Sequence, residues 1–234
     1  MNLIALETST RHLSVALWLN GHLIERAEDI PNGGSERLLP WIIDLLAEAG
    51  LTFKDVEGIA FGAGPGGFTG LRLACGVAQG LAFGLDLPVL GVSTLEALAM
   101  TAYSRAVAGE RIFACLDARM GEVYSAAYLI HGDGSETLQA PTVAPPQQIG
   151  LPSTASGKVW IGCGDGFVSY PNLRGPSILE VRNDCWPTAA SVARLAAPRL
   201  ARGKGVRAEA AAPMYVRDKV ALTTAERLAR GGLK

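Results

Sequence analysis

GAGPGGFTGLRLACGVAQGLAFG, residues 62–84, contains the strand-to-helix turn on which the fold assignment depends. An apolar strand, residues 56–61, precedes the glycine cluster, and a long apolar segment follows it. The cluster therefore predicts a turn from a strand into a helix over residues 70–85. Such a turn can bind phosphate through its backbone amides, or it can simply need the positive φ that glycine allows.

The structural interpretation of the turn is favoured over a nucleotide site. Gly62, Gly64 and Gly67 match the dinucleotide pattern G-x-G-x-x-G. The acidic residue that should end the next strand is Asp86, which instead precedes the strand predicted over residues 88–92. Pro65 removes one backbone donor, and no Lys-Ser/Thr pair follows as in a Walker A loop.

The helix that follows is apolar on nearly every side. Residues three or four apart share a helix face, and each glycine costs about 1 kcal/mol relative to alanine in a helix interior. Three ridges result: the first is Leu73, Val77, Leu81 and Leu85, the second is Ala74, Ala78 and Ala82, and the third is Gly76, Gly80 and Gly84. A helix that retains three glycines on one ridge is predicted to use that smooth face for close packing.

Residues 35–49 form a second predicted helix, with Ser35 as its N-cap. One apolar stripe consists of Leu38, Ile42, Leu45 and Ala49, and a second one beside it consists of Leu39, Ile43 and Leu46. Trp41 lies on the more polar side. Both helices can cover one face of a sheet and complete one core. Alternatively they form half of a helical bundle that another chain completes. The wide apolar surface and the position of Trp41 favour the second interpretation.

The chain repeats itself. LETSTRHLSVALWL (6–19) aligns without a gap with LDARMGEVYSAAYL (116–129), and the glycines of 62–66 align with those of 162–166. Two matching segments in the same order predict two related halves. Each half is predicted as a three-strand meander followed by helix, strand, helix and further strand.

Several local boundaries are predicted as well. Strands are expected over 3–6, 12–19 and 22–27, and Ser93 and Glu96 form a capping box before a helix. The halves should meet near residues 104–110, and residues 140–157 form a connection rich in proline and glycine. From Arg217 onward the chain carries more basic than acidic side chains and is predicted to be a solvated tail.

Composition limits the class of protein. The chain has 234 residues with a net charge of −1, and 49% of its residues are hydrophobic. This composition predicts a folded core and no basic field for nucleic acid. The N-terminus has no basic region, and the apolar run 73–85 is shorter than a membrane span, so no membrane contact is expected. Four scattered cysteines predict reduced thiols and a cytoplasmic protein.

Few residues are candidates for chemistry. His12, His22 and His131 show no metal-ligand spacing, and His12 and His22 are interpreted as strand or turn residues. No nucleophile pattern indicates a peptidase. Glu7 and Asp117 end equivalent predicted strands. Two such carboxylates can hold Mg²⁺ and a phosphate chain across a cleft, or each can cap its own hairpin turn.

Four segments together resemble the TsaB family, a subunit of the bacterial machinery that makes threonylcarbamoyladenosine in tRNA. They are residues 62–82, SERLLPWI (35–42), LDARMGEVY (116–124) and APMYVR (212–217). The resemblance implies an α/β protein of two duplicated ribonuclease H-like lobes, of the actin/Hsp70/sugar-kinase type. The lobes are expected over residues 1–106 and 107–216, with a basic tail over 217–234.

The resemblance also implies a non-catalytic scaffold and activator, with no cofactor of its own. The family pairs with the catalytic subunit TsaD, is joined by the ATPase TsaE, reaches tRNA only through the complex, and can form a homodimer through the same surface. ATP and metal belong to the partner subunits. The implied partner interface consists of Ser35, Glu36, Leu38, Leu39, Trp41, Ile42, Leu45, Leu73, Gly76, Val77, Gly80 and Gly84.

The chain departs from the family pattern at three positions. Many members have Asp, His and Ser where this chain has Glu7, Gly34 and Gly67. These departures weaken a nucleotide or phosphate role for the first lobe and leave the apolar helices untouched. The alternative function is a self-sufficient ATPase or phosphotransferase of the same fold, which would use Glu7 and Asp117.

Overall fold

The first half of the chain forms one five-stranded sheet and three helices. The computed structural model describes residues 1–30, 34–104, 109–152 and 159–217. The elements are β1 (Asn2–Glu7), β2 (His12–Leu19), β3 (His22–Asp29), α1 (Ser35–Glu48), β4 (Gly58–Gly64), α2 (Phe68–Leu85), β5 (Val89–Ser93) and α3 (Thr94–Ala102). The strand order is β3-β2-β1-β4-β5, with β1–β3 antiparallel and β4 and β5 parallel to β1.

The second half repeats this topology. Its elements are β6 (Glu110–Arg119), β7 (Glu122–His131), β8 (Gly134–Ala144), β9 (Trp160–Cys163), α4 (Gly166–Ser169), β10 (Ile178–Arg182) and α5 (Ala189–Leu200). The strand order β8-β7-β6-β9-β10 matches that of the first sheet, with the same antiparallel and parallel pairs. The predicted duplication into two ribonuclease H-like lobes of the actin/Hsp70/sugar-kinase type is confirmed.

The alternation of side chains along β1 shows which helices cover each face of the first sheet. Successive side chains of a strand point to opposite faces. Ile4 and Leu6 pack into the core cluster beneath α1 and α2, whereas Leu3 and Ala5 pack into the cluster that contains α3 and α5. The first sheet is therefore buried on both faces. α1 and α2 form the outer layer, and α3 and α5 lie between the two sheets.

α5 belongs to the second half in sequence but packs against the first sheet. Two side chains of that sheet accept hydrogen bonds from its first turn: Ser14 Oγ from Ala189 N at 2.8 Å, and Glu25 Oε1 from Ala190 N at 2.8 Å. α3 packs against β6 and β7 of the second sheet. Each lobe thus receives a helix that follows the strands of the other, and the two sheets share one core.

The halves differ on their outer faces. Between β8 and β9 the described residues form one 3₁₀ turn, Pro146–Gln148, and no counterpart of α1. The predicted helix of the second half is therefore wrong for those residues, and residues 153–158 lie outside the described chain. The connection predicted over residues 140–157 starts later than expected, because β8 runs to Ala144. The predicted lobe boundary at 106/107 also lies outside the described residues.

Helix starts differ from the prediction in their capping. α2 begins at Phe68, two residues earlier than predicted. The N-cap of α1 is Gly34 with φ 99°, not Ser35, and no side chain caps the helix. Ser93 occupies the N-cap of α3 without a capping hydrogen bond, and Glu96 instead pairs with Arg199 of α5. Tertiary contacts replace the local capping box at this site.

Arg217, the first residue of the predicted tail, is not solvated as expected. Arg217 is held against the second lobe, where its guanidinium donates to Ala118 O at 3.0 Å and to Glu122 at 2.5 Å. Only 14% of its side chain is exposed. Residues 218–234 lie outside the described chain.

Candidate functional site

The glycines of the strand-to-helix turn are required by the chain's own packing. Gly64 has φ 119°, a conformation that other residues rarely adopt. A Cβ atom at Gly66 would lie 2.6 Å from Ser9 O, and one at Gly70 would lie 1.8 Å from Thr8 O. The β1–β2 turn therefore sits directly against the start of α2. The predicted turn from strand to helix is confirmed, and that it binds no nucleotide stays a prediction.

The three later glycines of α2 have a different environment. Gly76, Gly80 and Gly84 are exposed, and a Cβ atom at any of them would meet no described atom within 4 Å. The fold of the chain therefore does not need glycine at these positions. The close packing predicted for this smooth face is not made by the described part of the chain.

Three residues predicted at the partner interface are core residues in the structure. Leu38, Ile42 and Leu45 of α1 are at most 2% exposed and pack against the first sheet. Ala74, Ala78 and Ala82 play the same role on α2. The apolar stripe of α1 is thus used within the chain, because the sheet needs a cover on this face, and these three side chains are not available at the surface.

The remaining predicted interface residues lie at or near the surface. Ser35, Glu36 and Leu39 are exposed on α1, with Leu39 at 46%. Trp41, Leu73 and Val77 are half-buried against the core. We call the exposed part the helical face: Ser35, Glu36, Leu39 and Ile43 of α1 with Gly76, Gly80, Phe83 and Gly84 of α2.

Two members of the helical face were missed by the sequence prediction. Ile43 is 54% exposed and Phe83 is 74% exposed. Ile43 follows Leu39 by four residues and Phe83 follows Gly76 by seven, so helical spacing alone places each beside a predicted residue. The sequence carried this signal, but it could not show which of two adjacent apolar ridges faced the sheet.

The polar side of α1 is occupied by the chain itself. Arg26 of β3 forms ion pairs with Asp44 at 2.5 Å and with Glu48. These contacts tie α1 to the edge strand of the first sheet. They leave Leu39 and Ile43 on the solvent side.

A cleft of about 940 Å³ lies between the lobes. Its walls include the β1–β2 turn Thr8–Arg11, the glycine turn, the β6–β7 turn and Asp165. Arg11 lies over the ring of Trp186, 4.8 Å from its centroid. A cavity of this volume is in the range of small-molecule sites.

Glu7 lies at the end of β1, fully buried. Its Oε1 accepts a hydrogen bond from Ser9 N at 2.7 Å, and its Oε2 has no hydrogen-bond partner among the described residues. Burial raises the pKa of Glu7 above its ordinary value of 4.5. The carboxyl group packs against Gly62, where a Cβ atom would lie 2.0 Å from Oε2. Glu7 does not line the cleft between the lobes, so its carboxyl group is not placed to bind Mg²⁺ there.

Asp117 occupies the equivalent position on β6 and borders the cleft. Its Oδ1 accepts a hydrogen bond from Arg119 N at 2.9 Å, and Oδ2 pairs with the Arg119 guanidinium at 3.1 Å. The nearby Asp165 accepts from Asp117 N, and burial raises the pKa of Asp165. Glu7 and Asp117 therefore each accept the amide of the residue two positions later, as turn caps do.

Metal-ligating side chains are dispersed in the described part of the chain. Residues 1–30, 34–104, 109–152 and 159–217 contain no group of three or more His, Cys, Asp or Glu side chains that could hold a metal ion. His12 begins β2 and contacts Asp29 at 2.7 Å, and His22 begins β3, so the strand interpretation of both is confirmed. All four cysteines are free thiols.

α2 is long and apolar enough, by length and composition alone, to cross a membrane. The core helices of many proteins pass the same test. The helix here packs its alanine ridge on the first sheet. That the chain makes no membrane contact stays a prediction.

Comparison with known proteins places the chain among tRNA-modification proteins. A family model described as TsaD, tRNA N6-adenosine threonylcarbamoyltransferase, matches residues 32–159. The tRNA threonylcarbamoyladenosine biosynthesis protein TsaB of Escherichia coli is 38% identical over 94% of this chain and 96% of its own length. The protein of the same name from Haemophilus influenzae is 34% identical over 94% of this chain and 95% of its own.

Solved structures agree with these relatives. A Pseudomonas aeruginosa protein, described as uncharacterized with similarity to the peptidase YeaZ, superimposes with a TM-score of 0.86 at 42% identity. The match covers 92% of this chain and 99% of that one. A second structure, described as YeaZ from Pseudomonas aeruginosa, gives a TM-score of 0.84 with the same coverage.

The duplicated sheets and the shared helical layer define a two-lobed α/β protein of the actin/Hsp70/sugar-kinase type, with one helical face left open on its first lobe. Within that class, the identity to relatives over almost the full chain is decisive. The chain belongs to the TsaB family.

Proposed function

We propose that this protein is a non-catalytic subunit in the biosynthesis of threonylcarbamoyladenosine in tRNA. It pairs through the helical face with a TsaD-like catalytic subunit, and the pair recruits a TsaE-like ATPase. The observation that carries this proposal is the ridge of Gly76, Gly80 and Gly84, which is exposed and unconstrained within the chain. The pathway assignment rests on family membership.

The energetics of the glycine ridge support an external partner. Each glycine destabilises the helix by about 1 kcal/mol relative to alanine. Gly66 and Gly70 are required because other atoms of the chain occupy the Cβ position, but Gly76 and Gly80 have no such neighbour. A second helix packed closely on this ridge explains the glycines, since small residues let two helix backbones approach each other closely.

The surroundings of the ridge have the anatomy of a protein interface. Leu39, Ile43 and Phe83 are large apolar side chains between 46% and 74% exposed. Ser35 and Glu36 provide a polar rim at one end. An apolar centre with a polar rim is typical of protein interfaces. The same surface can also pair with a second copy of the chain when the partner is absent.

The non-catalytic role rests on the two carboxylates. Glu7 is buried without access to the cleft, and Asp117 is engaged by Arg119. ATP and metal chemistry are therefore assigned to the partner subunits. The net charge of −1 gives no extended field for RNA, so tRNA is reached through the complex.

A self-sufficient ATPase or phosphotransferase is the second candidate. The cleft of about 940 Å³ with Arg11 and Arg119 on its walls favours it, because arginines bind phosphate groups. This function requires Mg²⁺-dependent nucleotide turnover by the purified chain that is lost in Asp117→Ala. Absence of turnover in the wild-type protein would remove this candidate.

The test of the proposed function is light scattering on a sizing column, with the chain alone and mixed with the TsaD-like protein of the same organism. We expect a new species at heterodimer mass that is lost in Gly76→Leu. Gly175→Leu is the matched control, because Gly175 is in the second lobe and its Cβ position is equally open. A wild-type chain that does not bind the partner would refute the proposal.

A further inference from the structure

An exposed aromatic cluster continues the helical face toward the cleft. Residues 68, 72, 76 and 80 of α2 follow one another at four-residue spacing and share one side of the helix. The glycine ridge thus leads directly to Arg72 and Phe68. Phe68 is 43% exposed, and Met214 and Tyr215 beside it are 40% and 50% exposed.

The cluster is held in place before any partner arrives. The Arg72 guanidinium lies 3.6 Å from the centroid of the Phe68 ring, and Arg72 Nε donates to the hydroxyl of Tyr215 at 3.2 Å. The rings of Phe68 and Tyr215 lie 5.9 Å apart. A preorganised cluster loses little conformational entropy on binding.

The backbone beneath the cluster is fixed as well. Met214 N donates to Ala63 O at 2.6 Å, and the side chain of Gln79 donates to Ala211 O at 2.9 Å. The segment that carries Tyr215 is thereby attached to both β4 and α2. It is thus bonded to α2, the helix that carries the glycine ridge.

We propose that Phe68, Arg72, Met214 and Tyr215 form a second contact surface for the partner that binds the helical face, and that this partner places a carboxylate against Arg72. The inference rests on the proposed function, since it takes the same partner. Tyr, Phe, Met and Arg are the side chains enriched in interface cores and hot spots.

Charge favours an acidic protein contact at this surface. Within the described residues Arg72 forms no ion pair, and its one hydrogen bond goes to the neutral Tyr215. An arginine with free N–H donors suits a carboxylate, which it can bind in bidentate fashion. An RNA partner is disfavoured because the charges lining the adjoining cleft balance, with Arg11, Arg119 and Arg217 against Asp117, Asp165 and Asp184, so the cleft adds no positive field to Arg72.

The test measures the affinity of the full-length chain for the TsaD-like protein by calorimetry. Phe68→Ala with Tyr215→Ala should weaken binding about tenfold or more, as hot-spot truncations do. Arg72→Glu should weaken binding further and reduce the salt dependence of the affinity. Leu179→Ala and Arg202→Glu are matched controls, because both residues are exposed in regions remote from the cluster.

The outcomes separate this inference from the proposed function. Folding of each variant is checked by circular dichroism, and Arg72→Gln serves as a milder variant. If Gly76→Leu abolishes pairing while the cluster variants bind like wild type, the second contact is refuted and the proposed function stands. If the cluster variants lower only the tRNA affinity of the assembled complex, the surface is an RNA contact and the inference is also refuted.

Discussion

The first turn of α2 rests on the carbonyl group of Thr8. A Cβ atom at Gly70 would lie 1.8 Å from Thr8 O, and Thr8 Oγ1 donates to Gly70 O at 2.6 Å. This contact fixes the β1–β2 turn against the helix and so forms one wall of the cleft. It also explains why position 70 requires glycine. No such contact exists at Gly76, where the Cβ position is open.

Alanine substitution should therefore have opposite effects at two glycines of one helix. Gly70→Ala is expected to lower the free energy of unfolding by about 3 kcal/mol, because the methyl group overlaps Thr8 O. Gly76→Ala should raise it by about 1 kcal/mol, because the Cβ position is open and alanine favours the helix. Urea denaturation measures both, and a loss of stability in Gly76→Ala would contradict the assignment of open space.

Glu7 should make stability depend on pH. Burial raises the pKa of Glu7 in the folded protein, so the folded state holds the proton more tightly than the unfolded state. This contribution to stability is full below the ordinary pKa of 4.5 and is lost as pH rises toward the folded-state value. Glu7→Gln keeps the hydrogen bond from Ser9 N without the ionisation.

The free energy of unfolding of Glu7→Gln should therefore fall less steeply than that of wild type as pH rises above 4.5 toward the folded-state pKa of Glu7. Glu136→Gln is a suitable control, since Glu136 is an exposed glutamate on β8. Denaturant titrations at several pH values provide the measurement. Identical pH slopes for wild type and Glu7→Gln would show that Glu7 ionises normally in the fold.

Ser14 should contribute to stability through a helix that is distant in sequence. Its buried hydroxyl accepts the hydrogen bond of Ala189 N at the start of α5. Ser14→Ala leaves that amide without a partner and is expected to cost about 1–2 kcal/mol, as helix-cap deletions do. Thermal unfolding compares this variant with Ser169→Ala, an exposed serine whose removal should change stability by less than about 0.5 kcal/mol.

Arg217 should hold the segment that carries Tyr215 against the second lobe. Arg217→Ala removes the hydrogen bonds to Ala118 O and Glu122, so hydrogen exchange of the Met214 amide should become faster. Arg207→Ala is the matched control, because that arginine is 87% exposed and pairs with the nearby Glu209. Unchanged exchange at Met214 in Arg217→Ala would show that the bond to Ala63 O alone holds the segment.

Local sequence signals predicted β2 correctly but predicted the start of α3 wrongly. β2 spans His12–Leu19 as predicted, because alternation and a hairpin turn are local signals. The capping box of Ser93 and Glu96 was predicted from equally local signals and is wrong, because Arg199 of α5 takes the Glu96 carboxylate. A pattern as short as the capping box carries no information about an ion pair between distant elements.

The sequence by itself determined the duplicated topology and the smooth ridge of α2. Both follow from spacing along the chain, which strand alternation and helical periodicity translate directly into faces. The tertiary structure alone decided which apolar stripe of α1 faces the sheet, that Glu7 is buried, and that α5 packs on the other lobe's sheet. These features depend on contacts between residues far apart in the chain. The burial of Glu7 and its raised pKa therefore arise only when the two sheets enclose one core.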